Sequence, residues 1–225
     1  MKTGLLQLLA IALVLVLTGC AIVPKETTPQ TFPAASQADS PETTPDTSSA
    51  ASDPFEGILL DEKAFFHQEQ GKDMTLTEFC GYLGAITETK VSFSNYAFAD
   101  LDADGTSELL LGIVFNDEFA YGTLVLHTSD VVTGYEFTYR QLMDVKQDGT
   151  FRYSGGSADN GIARLEFTQD GWEYRILGSM ESNGEAISYY WDGQQVDQDT
   201  YNSHVDTHYM KEDIVQIPYP VALRK

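Results

Sequence analysis

Six of the eight prolines lie between Pro24 and Pro54, in a stretch dense in Thr, Ser, Ala and acids whose one aromatic residue is Phe32. Such a segment cannot bury enough apolar surface to offset the entropy of ordering it, so residues 20–54 read as a disordered, partly extended stalk. Folding is thereby confined to residues 55–225. That part contains every Tyr and Trp of the chain and is long enough for one domain with a real core.

Ahead of the stalk, Lys2 and the apolar run from Leu5 to Leu17, broken only by Gln7, have the layout of a signal peptide over residues 1–19. A spanning helix needs about 20 apolar residues, and this run is shorter. The following "LTGC", Leu17 to Cys20, resembles the lipobox of bacterial lipoproteins, in which the cysteine sulfur receives a diacylglycerol and becomes the first residue of the mature chain. Two acyl chains are what stable anchoring takes. The resemblance implies a protein tethered through Cys20 to the extracytoplasmic face of a bacterial membrane. Lipidation of Cys20 leaves Cys80 without an intrachain disulfide partner. Cys80 sits among apolar neighbours in "LTEFCGYLGAI" and reads as a small buried hydrophobe.

The domain itself is mostly strand-like. "VSFSNYAFA" alternates, "ELLLGIVF" and "YGTLVLH" are apolar runs of strand length, and "YEFTYRQLMDV", "RLEF", "WEYRIL" and "AISYYW" are rich in aromatic and β-branched residues. Three Asp-Gly pairs, at 148–149, 170–171 and 192–193, favour tight hairpins. Helical spacing is confined to the two ends. It brings Leu76, Phe79, Leu83 and Ile86 onto one face, and a second helix through "TYNSHVDTHYM" is capped by Asp197 or Asp199 before Pro218 and Pro220 end regular structure. The expectation is an α+β fold: mainly an antiparallel β-sheet meander, with a short helix near the N-terminal end of the domain and one near the C-terminus.

The densest chemistry is "FADLDADGTSELLLG", with Asp100, Asp102, Asp104, Gly105, Thr106 and Glu108. Alternate aspartates followed by glycine resemble the calcium loop of EF-hands, in which the side chains converge on one ion and the glycine permits a sharp turn. Leu111 stands where an EF-hand carries its bidentate Glu, and a strand follows instead of a helix. The closer resemblance is to the Asp-x-Asp-x-Asp-Gly-x-x-Glu/Asp loops between strands of integrin-type repeats and secreted bacterial domains. That resemblance implies Ca²⁺ held by Asp100, Asp102, Asp104, the Thr106 carbonyl and Glu108. Four carboxylates within nine residues repel one another unless a cation neutralises them. With every ligand on one short loop, the ion reads as structural.

A formal charge of −21 excludes the Lys and Arg clusters that nucleic acid requires and disfavours docking on anionic lipid. "SGGSADNG" offers Ser157, Asp159 and Asn160 to a polar ligand, against the plainer reading of a wide glycine-rich connection. His204 and His208 stand four apart and read as a solvated helix face, while His67 and His127 have no recognisable partner. No nucleophile elbow, paired-His hydrolase motif or dinucleotide loop occurs.

The segments "GILLDEKAFF", "GKDMTLTEF", "FADLDADGTSELLL", "FTYRQLMDVKQDGTF", "SGGSADNGIARL" and "YYWDGQQV" resemble small exported lipoproteins of Gram-positive gut bacteria over nearly all of residues 57–200. The expected function is a calcium-binding surface lipoprotein with a non-enzymatic binding role, its partner a cell-wall or surface protein or polysaccharide. The alternative is a small cell-surface hydrolase acting on wall or host polymers.

Overall fold

A computed structural model describes residues 53–156 and 159–220. Cys20, the signal segment, most of the stalk and Ser157 lie outside the described residues. The elements in order are α1 (Glu56–Leu59), β1 (Phe65–His67), β2 (Lys72–Met74), α2 (Leu76–Thr87), β3 (Val91–Ala99), β4 (Glu108–Phe115), β5 (Phe119–Thr128) and β6 (Val132–Thr138). They continue with β7 (Phe151–Gly156), β8 (Asp159–Thr168), β9 (Gly171–Ser182), β10 (Ile187–Trp191), β11 (Gln194–Val196), α3 (Gln198–Tyr209) and β12 (Ile217–Pro218).

The strand-rich, mainly antiparallel reading holds, with short helices. The single meander does not. The strands divide into a seven-stranded sheet, ordered β12-β3-β4-β5-β6-β1-β2, and a five-stranded sheet, ordered β11-β10-β9-β8-β7. One pairing among the described residues is parallel, β1 against β6 with Phe66 opposite Thr133. Pro218 also departs from expectation by lying in a strand: β12 is a two-residue edge piece on β3, where a missing N–H is tolerated.

Why "ELLLGIVF" is apolar without alternation is now plain. Leu109 and Leu111 enter one core with Leu76, Phe79 and Leu83 of α2, whereas Leu110 enters a second core shared with Phe151, Ala163 and Leu165 of the other sheet. A central strand covered on both faces has no solvent side to mark with polar residues. On α2, Ile86 is 62% exposed and departs from the buried stripe. The helix start is fixed by a reciprocal cap: Glu78 N donates to Thr75 Oγ1 and Thr75 N donates to Glu78 Oε2.

Only one Asp-Gly pair makes the expected two-residue hairpin. Asp192 and Gly193, at φ of 48° and 72°, join β10 to β11. Asp170 shares its turn with Gln169, and Gly171 opens β9 opposite Thr168. Gly149 has another task. A Cβ there would lie 1.8 Å from the Asp100 carbonyl oxygen, so glycine lets the connection before β7 press against the acidic loop.

α3 begins at Asp197, whose carboxylate accepts from Thr200 N, and it packs its rings on the five-stranded sheet. His204 stacks on Trp191 at 4.1 Å, and Tyr201 lies 5.3 Å from Tyr189. His208 is 1% exposed, with Nδ1 3.3 Å from Thr150 Oγ1 and Nε2 3.5 Å from Asp144. The solvated His204/His208 face is therefore corrected, because both imidazoles are used in packing. His67 is wholly buried and accepts from Gln70 N.

Burial holds His208 below its ordinary 6.5; Asp144 raises it, while Lys211 and Lys146 lower it. Between that lowered value and 6.5 the unfolded chain binds more protons than the folded one. The stabilisation is therefore full above 6.5 and is lost as pH falls through the lowered value. Urea unfolding from pH 7.5 to pH 5 is expected to show a shallower pH dependence in His208→Asn than in the wild type.

Candidate metal centre

The acidic loop is the β3–β4 connection. Its second residue, Leu101, is wholly buried in the core between the sheets, and Leu165 N of β8 donates to the Leu101 carbonyl at 3.0 Å. With Leu101 pinned, the aspartates on either side are turned outward. Positive φ at Ala103 (64°) and Gly105 (93°) then curls the chain back. The carboxylates organise the turn from within. Asp100 accepts from Asp104 N (3.1 Å) and Gly105 N (3.0 Å), Asp102 from Asp104 N (3.2 Å), and Asp104 from Thr106 N (2.6 Å).

Carboxylate oxygens of Asp100, Asp102 and Asp104 lie within 4.8 Å of one another. This is an oxygen set of the kind that suits a hard cation. Thr106 takes part through its N–H. Glu108 lies beneath the loop. It is the first residue of β4 and fully buried, with Oε2 accepting from Leu101 N at 2.7 Å and Oε1 lying 3.0 Å from His127 Nδ1. Both of its oxygens are thus engaged inside the protein.

His127 is the residue that sequence reasoning missed, and the statement that it lacks a partner is corrected. It lies across the β4–β5 ladder from Glu108, one step beyond the Leu109–Leu126 pair, and its ring stacks on Phe167 at 4.0 Å. Only the strand register reveals that contact. Asp102, Glu108 and His127 form a second convergent group within 4.8 Å. An imidazole nitrogen is not a ligand that calcium favours, so His127 fits better as the orienting partner of Glu108. Burial raises Glu108 above its ordinary 4.5, although His127 and Leu101 N pull it down. Burial likewise raises Asp102, with Asp104 and Asp100 adding to the shift. A cation at the loop would relieve both.

The other sequence candidates do not converge. Asp159 and Asn160 are consecutive in β8 and project from opposite faces of the sheet. Cys80 packs half-buried against the helix-side core. A cleft of about 470 Å³ lies on the seven-stranded sheet, lined by Asn95 and Thr123 and flanked by Asp144 and Asp213. Lys146 holds both carboxylates, at 2.9 and 2.5 Å.

No family model, curated protein or solved structure matches this chain. No helix among the described residues is long and apolar enough to cross a membrane.

Because Glu108 is buried, His127→Ala would leave one of its oxygens unpaired. The expected cost is about 1–3 kcal/mol in urea unfolding, with Asp104→Ala in chelator costing less because that residue is exposed.

Proposed function

We propose that this chain is a lipid-anchored protein of the extracytoplasmic face of a bacterial membrane, whose domain is braced by calcium and acts by binding rather than by catalysis. The observation that carries the calcium reading is the convergence of the Asp100, Asp102 and Asp104 carboxylates on one point of a loop fastened to both sheets. Loop oxygens alone suit Ca²⁺ better than Mg²⁺, which demands a near-ideal octahedron, and exported sites of this kind bind in roughly the 10⁻⁴ to 10⁻³ M range. The ion would join Asp100, Asp102 and Asp104 and cancel their repulsion, leaving Glu108 to hold the loop from beneath.

The binding reading is supported by where the imidazoles are spent. His204 and His208 are packed under the five-stranded sheet and His127 is committed to Glu108, so none presents a base to a nucleophile. A hydrolase is the second reading, favoured by one observation: Asp144 and Asp213 line the same cleft. Lys146, itself buried, pairs with both carboxylates and neutralises them, which leaves neither free to act as an acid or base.

At about ten times its dissociation constant a single bound ion adds about 1.4 kcal/mol, or about 3–6 °C in the melting temperature of a domain this size. Thermal unfolding of the full chain should rise by that amount from EDTA to millimolar Ca²⁺, and the rise should vanish in Asp102→Ala and Asp104→Ala. Equal melting in EDTA and Ca²⁺ would sink the calcium reading. For the anchor, Cys20→Ser should abolish metabolic labelling with a fatty-acid analogue; unchanged labelling would place the lipid elsewhere or nowhere.

A further inference from the structure

The five-stranded sheet extends past the part that the seven-stranded sheet and α3 use. Directly opposed residues of neighbouring strands share a face, and the pairs Tyr153–Gly161, Gly161–Ser179 and Ser179–Tyr190 therefore set one row across four strands. Two residues further along, Asp159, Glu181 and Ser188 continue the same face. Tyr189 and Trp191 point the other way, under α3.

The row is shaped as a trough. Gly161 and Ser179 form a low floor between two tyrosines. A Cβ on Gly161 would lie 2.6 Å from Tyr153 Cε1, so glycine is what lets that ring lie across the strand. Tyr174 backs the ring at 5.0 Å and is itself fixed by donating its hydroxyl to the Gln141 carbonyl at 2.7 Å. The resulting groove, about 280 Å³, is lined by Tyr153, Ile176, Gly178, Ser179, Glu181 and Tyr190 among others, with Ile176 42% exposed.

We infer that this trough is a binding site for a neutral, pyranose-containing polysaccharide. The inference rests on the reading that the domain works by binding, but not on calcium. A pyranose ring offers an apolar C–H face and a rim of hydroxyls, and the groove offers the complement: an aromatic wall at Tyr190 and an aliphatic one at Ile176, with the exposed Glu181 carboxylate, to which the buried Ser179 hydroxyl donates, as hydrogen-bond acceptor. Charge selects among saccharides. Glu181 and the nearby Asp159 are exposed carboxylates, none of the lining residues is cationic, and the chain carries −21 overall, so uronic acids and phosphate polymers are repelled. A peptide strand is disfavoured because the site is a sheet face and presents no open ladder edge to extend.

The test is affinity electrophoresis of the full chain through native gels containing soluble glucan, mannan, galactan or arabinoxylan, with polygalacturonate as the acidic comparison. At least one neutral polymer should retard the wild type. Tyr190→Ala should lower that affinity at least tenfold, Tyr190→Phe should keep most of it, and Glu181→Gln should weaken it, all at unchanged melting temperature. Retardation by polygalacturonate alone, by no neutral polymer, or equally in Tyr190→Ala overturns the inference. Parallel melting in EDTA and Ca²⁺ separates the two claims. A calcium response without glycan retention leaves the loop reading standing, and retention without a calcium response does the reverse.

Discussion

The Glu108 carboxylate is the point on which the loop, and with it the joint between the sheets, depends. A charge wholly removed from water is tolerated only when paired and hydrogen-bonded. Glu108 meets that condition by taking Leu101 N on one oxygen and His127 on the other. The first bond fixes the turn by which the chain leaves β3, and the second ties the start of β4 to β5. Leu101, held there, fills the inter-sheet core and accepts from β8. One side chain thus couples an exposed acidic loop to three strands in two sheets.

This coupling gives the aspartates their setting. Repulsion among Asp100, Asp102 and Asp104 cannot relax by unravelling the turn, because Leu101 and Glu108 hold its base while backbone N–H groups already bind the carboxylates from inside. The backbone strain of the turn sits at Ala103, a residue with a Cβ held at positive φ, whereas Gly105 takes its positive φ at no steric cost. A fastened loop of this kind gains more from a cation than a free acidic turn would, since the free turn could separate its charges at little cost.

What the sequence made legible follows from which signals are local. The β-rich class could be read because aromatic and β-branched runs of strand length need no knowledge of partners. The loop could be read because its ligands are consecutive. The division into two sheets could not: nothing local says that Leu109 and Leu111 serve one core while Leu110 serves another. His127 was opaque for the same reason, since its partner is set by register. The Thr75–Glu78 cap was a local signal and was overlooked, although Thr-x-x-Glu ahead of an apolar run announces a helix start. His204 and His208 misled because helical spacing gives a shared face but not what covers it; Trp191 and Thr150 cover it here.

The two sheets divide the work between them. The seven-stranded sheet is committed on one face to α2 and on the other to its partner sheet, and the two carboxylates beside its cleft are held by Lys146. The five-stranded sheet is covered by α3 on one face, and on the other as far as Phe151, Tyr153, Ala163 and Leu165. Beside Tyr153, small residues replace large ones at Gly161 and Ser179, and the missing Cβ of Gly161 lets the Tyr153 ring lie across it. A sheet end kept rigid by the packing of Tyr153 on Tyr174 behind it, with a carboxylate at its rim, loses little conformational freedom when a ligand arrives, and that preorganisation is the physical condition for a shallow site to bind at all.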